Sequence, residues 1–480
     1  MIYNGFKRLI PQFIKNIFHL FRAILANIWY GFPSRNIKII GVTGTNGKTT
    51  TVQMIAKILE EAGFRVAAAS TINFKLGNKE WVNDTKFTTF SSWRLQEFLK
   101  KAVKAGCEYA IVEVTSHALD QNRVWGIDFS VAVATNVTRE HLDYHKTMEK
   151  YAKAKEKLFA ITEKNPEGVN VINLNSEFVE NFLRHKAKQI YGYAVKISNF
   201  KSTTSTFSSK AKVCQILNQF QNLNLKTIFA EEIELETNYS KFKIQDSKFF
   251  LNLPGEFNIE NALAATCVGL SQNISLEKIS KALSKIKGIP GRMEKIENSR
   301  KLEIIVDYAV TPDSLEKLYS YLRGLKKENS KIIAVFGSCG ERDRGKRPIM
   351  GEIVARNTDF CIVTNEDPYN EDPARIINEV FEGVVGEKIT SDIPIPIFNF
   401  QKILNSKIPK LKKEGINAFR VLDRRDAIKK ALQIAKPGDI VVITGKGAEE
   451  TMAIGKKRIP WNDPKVIREI LQELAKEKNQ

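Results

Sequence analysis

The chain has 480 residues, which at roughly 100–200 residues per domain predicts two to four domains. Hydrophobic residues make up 43% of it and charged residues 27%, a profile that excludes a disordered chain and indicates a soluble protein with sizeable cores. The formal net charge of +20 favours an anionic partner: nucleic acid, a membrane surface or a phosphate-rich small molecule. The five cysteines lie far apart without a C-x-x-C pair, so we expect neither a zinc ribbon nor a disulfide framework, and a reducing cytoplasm fits.

Residues 1–36 form a basic segment without acidic residues. Apolar side chains recur at helical spacing over residues 13–28, with Lys15, His19 and Arg22 on another face. These polar residues interrupt the run of about 20 apolar residues that a spanning helix needs. No small-residue cleavage site follows, so we do not expect a signal peptide. Two interpretations remain open: an amphipathic helix in a membrane interface, or a helix packed on the protein body.

From residue 37 onward, predicted strands and helices alternate, which indicates βαβ units and a mostly parallel sheet. Residues 196–250 lack this alternation, and we expect them to be antiparallel or loop-rich. The turn cluster at residues 288–291 predicts a domain boundary. We predict an α/β protein with three parts: a basic amphipathic helix (1–36), a P-loop-type central ATP-binding domain (37–290) and a C-terminal Rossmann-like α/β domain (291–480).

A glycine-rich loop, GVTGTNGKTT, occupies residues 41–50 between a predicted strand and a predicted helix. Glycines let the backbone wrap around phosphate oxygens, and a helix N-terminus directs N–H groups at the anion. The lysine can reach the terminal phosphates, and the hydroxyl that follows it can bind Mg²⁺. The spacing differs from that of the general P-loop because residue 42 is Val. We predict a nucleotide triphosphate site formed by Gly44, Thr45, Asn46, Gly47, Lys48, Thr49 and Thr50.

The same loop resembles the ATP loop of the Mur ligases, the peptide-adding enzymes of peptidoglycan synthesis. Further motifs follow in family order as far as residue 447, among them EVTSHAL (113–119), TNVTREHLDYH (135–145), LPGEFNIENA (253–262) and GERDRGKRP (340–348). Within the family, the sequence is most similar to the UDP-N-acetylmuramoyl-tripeptide synthetases, which add a diamino acid as the third residue. The family's first domain, which grips uridine diphosphate, has no counterpart here. We therefore expect the uridine to be held by other surfaces, or the nucleotide part of the substrate to matter less.

The resemblance implies an ATP- and Mg²⁺-dependent ligase that extends a UDP-muramoyl-dipeptide by one amino acid. ATP phosphorylates a substrate carboxylate, and the incoming amine then attacks the acyl phosphate and expels phosphate. Since a carboxylate acylates poorly, phosphorylation supplies the leaving group, and catalysis is mostly positioning and charge neutralisation. We expect a cytoplasmic monomer, with peripheral contact to the inner face of the membrane if residues 1–36 lie in the interface. Nucleic acid is not expected, because the excess charge is dispersed and no recognition motif appears.

Three of the five histidines lie within residues 117–145, close in sequence to Glu113. From the residues alone, such a cluster fits structural histidines as well as metal ligands, and a lysine at 155 fits a solvated helix face. The carboxyl ends of strands, where Glu113 and His141 are predicted, are where open α/β sheets bind ligands. In Mur ligases the matching Glu and His serve the magnesium ions, and the matching lysine is carbamylated. The resemblance implies metal ligation by Thr49, Glu113, His141 and carbamylated Lys155, with Lys48, His141 and Lys155 as catalytic residues.

The resemblance also assigns contacts to the muramoyl-dipeptide and to the nucleotide. Hydroxyl, amide and guanidinium groups suit sugar, peptide and carboxylate. The family's Thr-Thr-Pro-Asp reads TTFS at residues 88–91, so we expect that loop to differ. The dipeptide contacts are Thr88, Thr89, Ser116, Gln121 and Arg123, and the further nucleotide contacts are Asn258, Arg292 and Asp307.

The amino acid that is added is indicated by the run EDPY at residues 366–369. From the residues alone this run is an acidic, proline-bounded surface turn. Family members that add meso-diaminopimelate carry Asp-Asn-Pro-Arg there, and the arginine grips the distal carboxylate. Tyr369 cannot supply the two parallel hydrogen bonds of a guanidinium, whereas the nearby carboxylates could attract a distal ammonium group. We therefore predict L-lysine or ornithine over meso-diaminopimelate, in a subsite formed by Arg342, Glu366, Asp367, Tyr369, Gly445 and Glu449.

Two other functions compete with this prediction. A folylpolyglutamate synthase also joins an amine to a glutamate carboxylate, but the EVTSHAL motif and the block at residues 342–348 argue against it. A non-catalytic pseudo-ligase acting as a membrane scaffold would explain the basic helix. The presence of Lys48, Glu113, His141 and Lys155 argues against a dead enzyme.

Overall fold

The structure is a computed structural model that describes residues 11–83, 88–195, 206–220, 223–386 and 412–478. The chain divides into two compact units. Unit 1 contains residues up to Thr138 and His145–Lys287, and unit 2 contains Arg139–Tyr144 and the residues from Gly288 onward. The division at 287/288 lies three residues before the predicted boundary. The assignment of Arg139–Tyr144 to unit 2 has no signal in the sequence.

Unit 1 begins with a long helix, α1 (Gln12–Tyr30), which ends at Gly31 in the left-handed conformation that favours glycine. Its buried residues are Ala23, Ala26 and Asn27, so the helix packs on unit 1 through a narrow face of small residues. Its large apolar side chains lie mostly outside this contact. Among the described residues, no helix has both the length and the apolarity needed to cross a bilayer.

An eleven-stranded sheet forms the centre of unit 1. Seven of its strands run parallel, and an antiparallel hairpin extends each edge. In spatial order the strands are β11 (Ser247–Leu251), β10 (Ser240–Ile244), β9 (Leu225–Leu235), β8 (Gln189–Val195), β7 (Val169–Asn173), β6 (Phe129–Ala134), β1 (Lys38–Thr43), β5 (Tyr109–Glu113), β2 (Val66–Ala69), β3 (Asn73–Leu76) and β4 (Lys79–Val82). The mostly parallel sheet that the alternating pattern predicts is therefore confirmed.

Helices connect the parallel strands and pack around the sheet. They are α2 (Lys48–Glu61), α3 (Ser92–Lys104), α4 (Ser116–Asp120), α6 (Met148–Thr162), α7 (Val179–Leu183), α8 (Thr206–Gln219), α9 (Glu256–Ser271) and α10 (Leu276–Ser284). The short helix α5 (Leu142–His145) has its first three residues in unit 2 and only His145 in unit 1. The small residues of α9 allow close packing on α2, since a side chain at Gly269 would meet Ile58 at 3.1 Å. The expectation for residues 196–250 is confirmed for the β9–β11 meander but is wrong at α8, and residues 196–205 lie outside the described residues.

Unit 2 is built on a second, six-stranded sheet. Apart from β12 at its edge, neighbouring strands are parallel, as in the Rossmann-like fold that was predicted. The order is β12 (Glu294–Ile296), β13 (Glu303–Asp307), β17 (Ile440–Thr444), β14 (Ile332–Phe336), β15 (Phe360–Thr364) and β16 (Ala418–Val421), with a separate hairpin of β18 (Thr451–Ile454) and β19 (Lys457–Pro460). The helices are α11 (Pro312–Leu325), α12 (Arg347–Asn357), α13 (Pro373–Val385), α14 (Arg424–Ile434) and α15 (Asp463–Lys478).

A fully buried ion pair joins the first residues of α14 and α15. Arg424 donates through Nε and Nη2 to the two carboxylate oxygens of Asp463, at 2.9 and 2.6 Å. Arg424 also donates to the Thr444 carbonyl at the end of β17, and the Trp461 indole donates to Asp463. A charge taken out of water is tolerated only when such partners satisfy it. The pair therefore fixes both helices to the central strand of unit 2.

We expect Arg424→Met to destabilise unit 2 by about 3–5 kcal/mol, because it leaves the Asp463 carboxylate buried without its partner. Denaturant unfolding followed by tryptophan fluorescence measures this, since Trp461 lies in hydrogen-bond contact with Asp463. Arg425→Met is the matched control. Arg425 pairs with Glu469 and Glu473 at the surface and should change stability by roughly 0–1 kcal/mol. Equal effects of the two substitutions would contradict this account of the buried pair.

Candidate active site

The phosphate loop between β1 and α2 is fixed by residues that follow β6. The backbone N–H of Thr45 donates to the Asn136 carbonyl at 2.8 Å, and that of Asn46 donates to Asn136 Oδ1 at 2.9 Å. The Thr135 hydroxyl donates to the Asn46 carbonyl at 2.6 Å. These bonds hold the loop in shape through the residues that follow a neighbouring strand, and Lys48 Nζ adds a bond within the loop to the Thr45 carbonyl at 2.8 Å.

Two glycines of this loop have left-handed backbone conformations, Gly44 with φ 149° and Gly47 with φ 82°. A Cβ at Gly44 would overlap Thr135 Oγ1, and one at Gly47 would overlap Asn261 Oδ1. No side chain caps the N-terminus of α2, which begins at Lys48. The loop therefore presents backbone N–H groups and a lysine to an anion, and it fits the phosphates of ATP.

Glu113 ends β5 and lies beside the phosphate loop. Its Oε2 accepts hydrogen bonds from the Thr49 hydroxyl and from the Thr71 N–H, both at 2.9 Å, and Lys48 Nζ lies 3.9 Å from Oε1. Hard oxygen donors are those that Mg²⁺ prefers, together with phosphate oxygens and water. No group of three or more His, Cys, Asp and Glu side chains suited to a metal occurs in the described part of the chain. Thr49 and Glu113 fit an ion shared with ATP rather than one held by the protein alone.

Lys155 is buried, with an exposed fraction of 1%, and points at the phosphate loop from α6. Its Nζ donates to the Gly44 carbonyl at 2.7 Å and lies 4.4 Å from the centre of the Tyr151 ring. The interpretation of Lys155 as a residue of a solvated helix face is therefore wrong. Tyr151 is itself tied to the loop, because its hydroxyl lies 3.0 Å from Thr45 Oγ1.

The three clustered histidines lie in different surroundings. His141, with φ 57°, belongs to the segment Arg139–Tyr144 of unit 2, whereas Thr49, Glu113 and Lys155 belong to unit 1. His141 Nδ1 lies 3.9 Å from Glu140, whose carboxylate accepts from buried Lys346 at 3.1 and 3.2 Å. The predicted metal ligands are thus divided between the two units, and the role of His141 stays a prediction.

His145 lies in unit 1 and makes a structural contact. Its Nε2 lies 3.0 Å from the Ser116 hydroxyl, and its ring meets that of His117 edge-on at 5.4 Å. Burial lowers the pKa of His145 to about 4; nearby Lys155 and Lys157 act in the same direction, whereas Asp120 opposes them. A neutral imidazole therefore orients Ser116, a role that the sequence did not indicate.

The predicted contacts to the muramoyl-dipeptide come together around the end of β5. Thr89 donates to the backbone oxygen of Glu113 at 2.9 Å, and Thr88 accepts from Thr71 at 3.0 Å. Arg123 donates to the Thr89 carbonyl at 3.1 Å and to Gln121 Oε1 at 2.9 Å. The structure therefore joins four of the five predicted residues into one network, to which Thr71 adds a link that the sequence did not reveal.

The predicted nucleotide contacts outside the loop are held by local hydrogen bonds. Asn258 is buried on α9 and donates to the Pro254 carbonyl at 2.7 Å. Asp307 ends β13 and accepts from the N–H groups of Met293 and Ala309, both at 2.8 Å, while burial raises the pKa of Asp307. The Asp307 carboxylate thus holds the turn that carries Arg292. The direct nucleotide contact of these residues stays a prediction.

The predicted amino-acid subsite of unit 2 contains a cation that the prediction omitted. Lys446 Nζ donates to both oxygens of Asp367 at 3.0 Å and pairs with Glu449. Lys446 and Asp367 are buried, so the run at residues 366–369 is not the surface turn that the residues alone suggested. Two of the three carboxylates that were expected to attract a distal ammonium are therefore already neutralised.

Glu366 differs from those two carboxylates. Its Oε1 accepts from the Cys339 thiol at 3.0 Å, and its Oε2 has no hydrogen-bond partner within the described residues. Oε2 is nevertheless buried, and a Cβ at Gly445 would lie 2.6 Å from it, so only glycine leaves space beside this oxygen. Burial raises the pKa of Glu366. Tyr369, with φ 52°, has its ring 5.7 Å from the Arg342 guanidinium.

Comparison with known proteins covers both units. The Mur ligase middle domain matches residues 42–269, and the Mur ligase, glutamate ligase domain matches residues 291–447. A UDP-N-acetylmuramoyl-L-alanyl-D-glutamate–2,6-diaminopimelate ligase from Syntrophomonas wolfei subsp. wolfei is 34% identical over 94% of this chain and 81% of its own. A UDP-N-acetylmuramyl-tripeptide synthetase from Roseiflexus sp. (strain RS-1) is 36% identical over 94% of this chain and 82% of its own.

Among solved structures, a UDP-N-acetylmuramoyl-L-alanyl-D-glutamate–2,6-diaminopimelate ligase matches with a TM-score of 0.53 and 28% identity. The match covers 92% of this chain and 79% of that chain. Sequence identity above 30% along nearly the whole chain, and family domains that match in both units, lead to the same conclusion. The chain belongs to the Mur ligase family of ATP-dependent ligases.

Proposed function

We propose that the protein adds a diamino acid to UDP-N-acetylmuramoyl-L-Ala-D-Glu in the synthesis of peptidoglycan precursors. The observation that carries this proposal is the double engagement of Glu113. Its side chain accepts from Thr49 of the phosphate loop, and its backbone oxygen accepts from Thr89 of the predicted dipeptide site. One residue thus links the nucleotide site to the acceptor site. The names of the relatives from Syntrophomonas and Roseiflexus support the same substrate.

The reaction has two steps, and each has groups in the chain that suit it. The γ-phosphoryl group of ATP passes to the acceptor carboxylate, which gives ADP and an acyl phosphate. The amine then attacks the acyl carbon, the C–O bond to phosphate breaks, and an amide and inorganic phosphate result. Lys48 and the N-terminus of α2 hold the phosphates. Bound Mg²⁺, for which Thr49 and Glu113 are the fitting ligands, would neutralise phosphate charge.

The two competing functions have less support. The relatives that cover 94% of this chain at 34% and 36% identity are named for muramoyl-peptide substrates, not for folates. A pseudo-ligase has no use for a buried lysine, yet Lys155 is held against the phosphate loop by Gly44 and Tyr151. We further propose that the protein acts as a monomer in the cytoplasm, with residues 1–36 as a peripheral contact to the inner face of the membrane.

The distal amine of the added amino acid is best received by Glu366, whose buried Oε2 has no hydrogen-bond partner among the described residues. Lysine, ornithine and meso-diaminopimelate all carry such an amine, and they differ in the distal carboxylate. Tyr369 stands where an arginine would bind that carboxylate, which favours L-lysine or ornithine. The names of several relatives favour 2,6-diaminopimelate instead.

The test of the proposed function is ADP release with UDP-N-acetylmuramoyl-L-Ala-D-Glu, ATP, Mg²⁺ and a panel of amino acids. We expect release that requires both the acceptor and a diamino acid. The control omits the amino acid, and product mass identifies the amide. ADP release that needs only glutamate and a folate would favour the folylpolyglutamate alternative. The absence of ADP release with every amino acid of the panel would favour the pseudo-ligase.

Lys155→Ala should lower turnover by roughly 10²–10³-fold, the cost of removing one group that stabilises developing charge. ATP should still bind, because the backbone of the loop is held by Thr135 and Asn136. Steady-state kinetics and nucleotide titration measure the two effects separately. If Lys155 carries a carbamate, added short carboxylates should restore part of the activity. Lys153→Ala, at an exposed position on the same helix, is the matched control and should behave as wild type. Near wild-type turnover in Lys155→Ala would refute the assigned role.

Tyr369→Arg should shift the preference of the enzyme toward meso-diaminopimelate by roughly tenfold or more, because its guanidinium can form a bidentate ion pair with the distal carboxylate. The ratio of kcat/KM for meso-diaminopimelate to that for L-lysine measures the shift. Asn370→Arg, at the exposed neighbouring position, is the control and should leave the ratio unchanged. If the wild-type enzyme already prefers meso-diaminopimelate, another residue must bind the distal carboxylate, and the argument from Tyr369 fails.

A further inference from the structure

The outward face of α1 is apolar although it faces solvent. Seven large apolar side chains on this helix are between 43% and 64% exposed: Phe13, Ile14, Ile17, Phe18, Phe21, Leu25 and Ile28. The helical period places these residues opposite Ala23, Ala26 and Asn27, the residues through which α1 packs on unit 1. A continuous apolar stripe of this kind marks an interaction surface rather than scattered surface residues.

Specific polar contacts attach α1 to unit 1. The exposure of the apolar stripe is therefore not the result of a helix that is packed in the wrong orientation. Asn27 donates through Nδ2 to the Trp125 carbonyl at 2.8 Å, and Asn16 donates to Asp120 at 3.2 Å. A Cβ at Gly126 would collide with the Asn27 side chain, so glycine permits this close approach. The polar contacts fix which face of α1 points inward and which points outward.

The surroundings of the stripe match a lipid surface in both charge and residue type. Lys15 and Arg22, seven residues apart, follow one edge of the stripe, and residues 1–36 contain no acidic residue. Trp29, 74% exposed, and Trp93, 37% exposed, lie together at the C-terminal end of α1 with ring centres 6.0 Å apart. Tryptophan favours the headgroup region of a bilayer, and basic residues favour anionic lipids.

We infer that the outward face of α1 docks on an anionic lipid bilayer, with Phe18 and Phe21 entering the interface and Lys15 and Arg22 at the headgroups. A protein partner would need acidic groups around an apolar groove, and a second copy of this chain would bring the same basic edge against itself. A bilayer of anionic lipid satisfies the apolar stripe, the basic edge and the tryptophans together.

The same contacts tie the docking face to the acceptor site, and this part of the inference rests on the proposed function. α1 packs on α3, which follows the Thr88–Thr89 loop, and on the turn that carries Arg123. Burial, with the charges of Arg123 and Arg22, lowers the pKa of His19 on α1. A bilayer bound to α1 would therefore lie next to the elements that carry the predicted muramoyl-peptide contacts, so docking brings the acceptor site close to the membrane surface.

The test is co-sedimentation of the full chain with vesicles. We expect it to pellet with vesicles of phosphatidylcholine and phosphatidylglycerol, less with phosphatidylcholine alone, and less as salt rises. Phe18→Ser with Phe21→Ser should abolish pelleting. Ile416→Ser with Leu422→Ser removes two side chains of similar exposure from unit 2 and should leave pelleting unchanged. Pelleting of the α1 variant at the wild-type level would overturn the inference.

Gel filtration distinguishes a bilayer from a second copy of the chain as the partner of the stripe. The wild type without vesicles should elute as a monomer. A dimer that the α1 variant dissociates would show that a second copy covers the stripe and would overturn the inference.

Turnover of soluble acceptor without vesicles separates docking from catalysis. It should be equal in wild type and the α1 variant, since neither Phe18 nor Phe21 contacts the phosphate loop. Intact pelleting without turnover would remove the proposed function while leaving the docking surface in place.

Discussion

The phosphate loop keeps its shape because a second strand holds it. Thr135 and Asn136, at the end of β6, bind the carbonyl and N–H groups of Asn46 and Thr45, and Lys155 binds the Gly44 carbonyl from the following helix. The remaining N–H groups can therefore point at phosphate without any rearrangement. Such preorganisation is what makes fixed dipoles effective in charge stabilisation. Glu113 and the predicted acceptor residues are positioned relative to this loop by the parallel pairing of β1 with β5 and β6.

Unit 2 buries several charged side chains, and the cost of removing them from water must be offset. Lys346 is neutralised by Glu140, Lys446 by Asp367 and Glu449, and Arg424 by Asp463. Each of these buried cations has its anion within hydrogen-bond distance, as the cost of desolvation requires. Among the described residues, the remaining positive charge therefore lies mostly at the surface, where α1 carries a part of it without any acidic residue of its own.

The sequence predicts those features that depend on local patterns. The strands at Ile332–Phe336 and Phe360–Thr364 belong to the alternation that the sequence predicts, because continuous apolar runs between turns have few alternatives. The phosphate loop can likewise be predicted from a short run of consecutive residues. By contrast, α8 forms over a Ser/Thr/Lys stretch without a clear apolar period, so it was not predicted.

The partners of the site residues could not be predicted in this way. Thr71 is bound to Glu113 from 42 positions away, and Asp367 to Lys446 from 79 positions away, so the distances between them depend on how the strands pair. The burial of Lys155 has the same origin, since a lysine-rich helix looks solvated until its inner face meets the phosphate loop. The resemblance to a family supplied the candidate site residues, whereas the pairing of the strands determines what each of them touches.

The burial of the Cys339 thiol, which donates to Glu366, has a consequence for chemical labelling. Burial and the neighbouring Glu366 raise the pKa of Cys339 well above its usual value, so little thiolate forms at neutral pH. Cys107, Cys267 and Cys361 are buried, and burial raises the pKa of each of them as well. Cys214 on α8 is the exposed thiol among the five cysteines. A maleimide dye therefore attaches to the native enzyme at one position in unit 1, which gives a fluorescent reporter without any engineered cysteine.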